Sequence, residues 1–169
     1  MELFETIMQR RSVRKYKDLS VSDEDFQKIM AAAMMAPSAG NAQPWQFIVI
    51  RSPETRKKVA EINPYAAMAM TAPVGVLVCG DLSLEKYPGY WVQDCSAATQ
   101  NMLLAAHGLG LGAIWTGVYP IEERVIAFKK LLNLPEQVIP LGYIAIGHPD
   151  QENKPQSRYK EERLHQEKW

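Results

Sequence analysis

Apolar residues recur at two spacings along this chain, and the places where one spacing gives way to the other mark its elements. Leu3, Phe4, Ile7 and Met8 share one helical face between Glu2 and Gln9. Ser22-Asp23-Glu24-Asp25 has the form of a capping box with Asp in place of the usual Glu. Phe26, Ile29, Met30, Ala33 and Met34 then repeat at helical spacing up to Pro37, so a second helix is expected there. Ser52 and Pro53 are suited to the N-cap and first position of a third. Val92 to His107 is apolar around most of its circumference, which predicts a central helix or a subunit contact. Ile121 to Leu132 is an amphipathic helix after Pro120.

Short β-branched runs supply the strands: Phe47 to Ile50, Val74 to Cys79, Ala113 to Trp115, and a last one within Gln137 to Gly147 that Pro140 should interrupt. Between the second helix and the first strand, Ala36 to Trp45 breaks every periodicity with Pro37, Gly40 and Pro44, so it is expected to be a loop whose amides and hydroxyls are open to a ligand. Gly108, Gly110 and Gly112 follow a helix and precede a strand. A dinucleotide fingerprint needs the reverse order, so these glycines are assigned to helix termination and tight helix-to-strand packing. Four strands and five or six helices without strict alternation predict a mixed α and β protein with helices on both faces of one sheet.

Length and charge narrow the function. A chain of 169 residues suits one domain. Lys plus Arg and Asp plus Glu are 19 each, which excludes field-driven binding to nucleic acid or to an acidic membrane. No apolar run reaches the roughly 20 residues needed to span a bilayer, and the chain begins acidic where a signal peptide would begin basic, so a cytoplasmic protein is expected. Cys79 and Cys95 read as core residues and no disulfide is expected. His107, His148 and His165 fall in no zinc spacing, and no metal is expected. There is no Gly-x-Ser-x-Gly elbow and no phosphate-binding Gly-x-x-x-x-Gly-Lys-Ser run.

Against this neutral background, Arg10-Arg11-Ser12-Val13-Arg14-Lys15-Tyr16 gathers four cations and a hydroxyl. Two readings are open. Guanidinium forks match phosphate oxygens, so an anion is held there, or Arg10 and Arg11 complement the negative end of the first helix. A cation cluster, an amide-rich loop and no conventional acid, base or nucleophile together point to chemistry supplied by a cofactor.

These residues carry a resemblance. Arg10 to Tyr16, followed by Ala36-Pro37-Ser38-Ala39-Gly40-Asn41-Ala42-Gln43-Pro44-Trp45-Gln46-Phe47, resembles the FMN-dependent nitroreductase family over essentially the whole chain. The resemblance implies an α+β fold, a three-layer α/β/α sandwich around a central mixed sheet, in an intertwined homodimer with two FMN sites at the subunit interface, each using residues from both chains. It implies one domain over 1–169, with 150–169 a tail packing on the partner. By this resemblance Arg10, Arg11, Ser12 and Arg14 contact the phosphate and ribityl chain, and Arg158 is a second phosphate arginine, with Gln156 where many members carry Lys. Pro37, Ser38, Asn41 and Gln43 belong to the loop reaching the flavin from the partner, and Asn63 lies near a pyrimidine-edge position. Trp115-Thr116-Gly117-Val118 is where the family sets a backbone amide, here that of Gly117, against flavin N5. Pro120-Ile121-Glu122 imitates the Pro-Ile-Glu-Gly of larger members but should open a helix instead.

The implied activity is hydride transfer from NADH or NADPH to FMN and onward to a nitroaromatic, quinone or similar small acceptor, in ping-pong order, with no catalytic side chain. Dehalogenating or flavin-consuming chemistry on the same fold, or a non-enzymatic FMN-binding module, are the competing expectations.

Overall fold

The computed structural model describes residues 2–152 and 156–169, so Pro155 lies outside the described residues. The helices are α1 (Leu3–Gln9), α2 (Asp23–Met34), α3 (Pro53–Ile62), α4 (Trp91–Gly108) and α5 (Glu122–Leu132). The strands are β1 (Trp45–Ile50), β2 (Val74–Asp81), β3 (Gly112–Gly117) and β4 (Val138–Gly147). The expected caps are made: Ser22 Oγ accepts the Asp25 N–H at 3.1 Å and Ser52 Oγ accepts that of Thr55 at 3.3 Å.

One sheet runs in the order β1-β2-β4-β3 and every pair is antiparallel. The expected mixed sheet is therefore corrected. Between β1 and β2 the chain makes two passes, α3 and then a 3-10 segment (Pro64–Met70) packed on it, so β2 begins beside the end of β1, Gly75 opposite Ile50. A single crossover helix would have made the pair parallel.

Pro140 does not interrupt β4. The register steps from Val78 opposite Gly142 to Cys79 opposite Pro140, a bulge that leaves Leu141 without a β2 partner. Its carbonyl accepts both the Val118 and Tyr119 N–H groups instead, at 3.0 and 3.1 Å. The bulge also changes which parity faces α4: Ile144 and Ile146 beyond it, Ile139 and Leu141 before it.

Helices cover both faces as expected. Val74, Val76 and Val78 pack with α2 and α4, while Leu77 and Cys79 pack with α3 and α5. Fully buried side chains such as Leu77 and Ile144 contribute about 1.5–3 kcal/mol each relative to exposure. Cys79 and Cys95 are free and buried, and burial pushes both thiols up to about 12. Among the described residues no helix is long and apolar enough to cross a membrane.

Of the three clustered glycines, Gly110 takes a left-handed φ of +77° and ends α4. Gly112 serves packing, against the arginine stretch and not a helix: a Cβ there would lie 2.7 Å from Val13. Two apolar surfaces are left open in the single chain. On α1, Phe4 is 80% exposed and Met8 60%; after α2, Met35 is 80% exposed.

Candidate functional site

The arginine stretch runs beside the first residues of β3. Ser12 bridges Ala113 in parallel, the Val13 N–H reaches the Ala113 carbonyl at 3.1 Å, and Tyr16 bridges Pro149. Gln151 ties it from the tail, its Oε1 accepting the Arg14 and Lys15 N–H groups at 2.7 and 3.2 Å. The four arginines then divide. Arg11 donates to the carbonyls of Met8 and Arg10, both at 2.8 Å, and to that of Gln156 at 3.1 Å. Arg11 thus caps α1 and holds the tail, the helix-end reading of the cluster.

Arg10, Arg14 and Arg158 make no ion pair or hydrogen bond through their guanidiniums among the described residues. Burial, then Arg158 and Arg11, hold Arg10 below the usual guanidinium range. Like charges at such proximity repel, and an anion between them relieves that. Arg11, Ser12, Arg14, Gln151, Glu152, Gln156 and Arg158 line a cleft of about 420 Å³.

The loop after α2 lies at the other end of α4. Gly40, Asn41 and Gln43 adopt φ of 59°, 52° and 50°, left-handed conformations that local bonds must hold. Ser38 Oγ accepts the Gln43 N–H at 3.0 Å, and Asn41 Oδ1 accepts from Gln43 Nε2 at 3.0 Å. Asp94, buried in the first turn of α4, accepts the Ala39 N–H at 2.9 Å, and Lys86 Nζ donates to the Gly40 carbonyl at 2.6 Å. Pro37 and Ser38 border a shallow cleft of about 320 Å³ with Tyr90, Gln93 and Asp94. Neither Asp94 nor Lys86 belongs to a motif that spacing could reveal.

Of the four residues at the end of β3, two turn inward. Thr116 is buried with its hydroxyl on the Tyr143 carbonyl at 3.0 Å, and Val118 is fully buried with its N–H on Leu141. Trp115 lies over Gly142, leaving no space for a Cβ there. Gly117 is exposed. Hydrogen-bonded and non-bonded pairs alternate in an antiparallel ladder, so with Val118 bonded to β4, Gly117 turns its N–H and carbonyl to the free edge of β3. That carbonyl accepts Asn63 Nδ2 at 3.2 Å and Arg124 Nη1 at 3.1 Å. Asn63 is fully buried and also accepts the Tyr65 N–H, so it acts on the backbone of Gly117. A Cβ on Gly117 would meet nothing closer than the Tyr119 carbonyl at 3.9 Å, so this chain does not require glycine there for space. The imitation motif opens a helix as expected, with α5 starting at Glu122.

The expected residues therefore form two groups in one chain. From Ala113, beside Ser12, to Gly117 is about 13 Å along the edge of β3. The 37–43 loop is held at Asp94, about 20 Å along α4 from His107, whose imidazole feels Arg10 and Arg11. A single chain does not bring the loop to the arginines.

Residues 7–78 and 63–148 match the Nitroreductase family. A Methanothermobacter thermautotrophicus protein provisionally named NADH dehydrogenase/NAD(P)H nitroreductase is 52% identical across all of this chain and 88% of its own length. A Parabacteroides distasonis structure with the same provisional name superposes with a TM-score of 0.95 at 41% identity, over 99% of this chain and 98% of that one. A Desulfovibrio desulfuricans structure, provisionally called a nitroreductase and solved with FMN, superposes with a TM-score of 0.86 at 35% identity, over 100% of this chain and 98% of that one. Matched in its sequence from the arginine stretch to the end of β4 and in its fold from end to end, this chain belongs to the nitroreductase family.

Proposed function

We propose that the chain is an FMN-dependent oxidoreductase that takes a hydride from NADH or NADPH and reduces a nitroaromatic, quinone or similar small acceptor. One observation carries the reading: the guanidiniums of Arg14 and Arg158, in no ion pair among the described residues, line a cleft with Ser12, Arg10 lies close to Arg158, and the edge of β3 leads from Ser12 to the outward amide of Gly117. Arg10, Arg14 and Arg158 suit a phosphate monoester, with Ser12 adding a hydroxyl. The Gly117 amide suits the reactive edge of a flavin ring, and the open space at its Cα suits a flat group approaching the backbone. FMN supplies the two-electron chemistry when bound, and the chain contributes fixed donors in place of a titrating acid. A Vibrio harveyi relative, 26% identical, is described as an NADPH:FMN oxidoreductase complexed with NAD+, which supports a nicotinamide reductant.

The reading requires a homodimer. A two-fold axis across α4 sets two copies of the helix antiparallel and places the 37–43 loop of one protomer beside the arginine stretch of the other. The faces left open on α1 and after α2 are apolar enough to form that contact, and the tail from 150 to 169, with Tyr159, Leu164 and Trp169 exposed, wraps the partner.

Purified protein should be yellow, bleach on anaerobic addition of NADPH or NADH, and give parallel lines in two-substrate kinetics because reductant and acceptor use one cleft in turn. Glu122→Gln should leave the rate within a fewfold. Intersecting lines, or loss of reduction from Glu122→Gln alone, would count against the shared cleft or the placement at Gly117; a yellow protein that never bleaches is a binding module.

A further inference from the structure

The carbonyl of Gly117 is held in a closed ring of contacts formed by Asn63, Tyr65 and Arg124. Asn63 Nδ2 donates to it at 3.2 Å, and Asn63 Oδ1 accepts the Tyr65 N–H at 3.1 Å. The Tyr65 ring lies under the Arg124 guanidinium, 5.4 Å from centroid to Cζ, and Arg124 Nη1 returns to the Gly117 carbonyl at 3.1 Å. Arg124 is misplaced for its own helix. It stands in the first turn of α5, where the macrodipole favours anions and where Glu122 and Glu123 already sit. Helix electrostatics therefore do not account for a cation there, whereas a fixed carbonyl and an aromatic face do.

From this we infer that Arg124 is a positioning residue of the redox site. With Asn63 it pins the Gly117 peptide at the edge of β3, and its charge favours the reduced state of a flavin bound against that edge. The inference rests on the proposed placement of FMN at Gly117. In a strand the N–H and carbonyl of one residue point to the same side, so the guanidinium that grips the carbonyl lies on the side to which the amide opens. Reduction adds negative charge to a flavin ring, and a fixed cation beside it lowers the energy of the reduced form more than that of the oxidised form.

The test is the midpoint potential of bound FMN, measured by anaerobic dye equilibration in the wild type, Arg124→Gln, Arg124→Lys and Gly117→Ala, with the Kd of oxidised FMN and the melting temperature of the flavin-free protein. Arg124→Gln should weaken reduced FMN about tenfold relative to oxidised FMN, a potential lower by about 30 mV for a two-electron couple. Arg124→Lys, which keeps the charge, should recover most of that loss, and flavin-free melting should be unchanged in both. An unaltered potential in Arg124→Gln overturns the inference, as does a loss that Arg124→Lys does not recover. Gly117→Ala tests the underlying placement separately. Its Cβ strains nothing in the chain, so a changed Kd or potential supports a ring against that edge, and no change in either removes the placement and the inference together.

Discussion

At the C-terminal end of α4, Arg10 lies close to Arg158 and Arg11, and Arg10, Arg14 and Arg158 form no ion pair among the described residues, while at its N-terminal end the loop from Ser38 to Gln43 is bonded into place by its own side chains and by Asp94 and Lys86. The first region is electrostatically incomplete and invites an anion. The second is conformationally complete, with its left-handed residues fixed before anything binds. Under the proposed function, recognition would divide accordingly: charge would supply affinity at one end, and a prepared backbone shape at the other, where ordering on binding would cost free energy.

The largest effect should come from ending the chain at Asp150. This removes Arg158, the Gln156 carbonyl that Arg11 holds, and the Gln151 amide that orders the arginine backbone. Dimer and flavin should both be lost; a dimer of normal size with normal flavin absorbance after gel filtration would show that the tail does neither job. Next, Arg10→Ala and Arg14→Ala should each weaken FMN binding by roughly 10- to 100-fold, from about 1.5–3 kcal/mol per charge-assisted bond. Lys15→Ala should change it little, and Arg11→Ala should lower the melting temperature, because its fork is committed to the end of α1. Equal flavin retention in all four variants would reduce the cluster to helix capping.

At the other end, Asp94→Ala strands the Ala39 N–H and should cost about 1–3 kcal/mol of stability, with severalfold weaker FMN binding. Asp94→Asn keeps an acceptor oxygen and should recover most of both; equal melting temperatures for Asp94→Ala and wild type would show that the loop holds itself.

The smallest effect concerns His107, whose Nε2 is buried without a partner among the described residues. Burial, then Arg10 and Arg11, hold its pKa below the usual imidazole value. The unfolded chain therefore takes up a proton, near pH 6.5, that the folded chain refuses. Stability of the flavin-free protein should fall as pH drops through that value and level off below the folded pKa. His107→Gln should flatten this slope, and bound phosphate should reduce it; identical pH profiles for wild type and His107→Gln would remove His107 as the source.

How much of this was legible varies by element. Ser22 and Ser52 announced their helices because a cap is a local bond, and the β-branched run in β2 announced a strand, which the structure buries on both faces. The arginine stretch was visible as charge, but its division was not: whether a guanidinium meets a helix end or an open cleft depends on where the tail returns, as Arg11 and Arg158 show. Pro140 misled for a similar reason, since a proline reads as a break until the bulge at Leu141 absorbs it.

By itself the sequence determined the helices and strands, the two-sided core, and the residue types suited to a phosphate and a flavin. These follow from periodicity, capping and functional-group chemistry, all of which act over a few residues. Only the tertiary structure decided the antiparallel order of the sheet, the outward amide of Gly117, and the converging grip of Asn63 and Arg124 on its carbonyl. Asn63 and Gly117 are 54 residues apart in the chain, and contacts at that range are set by how whole elements pack.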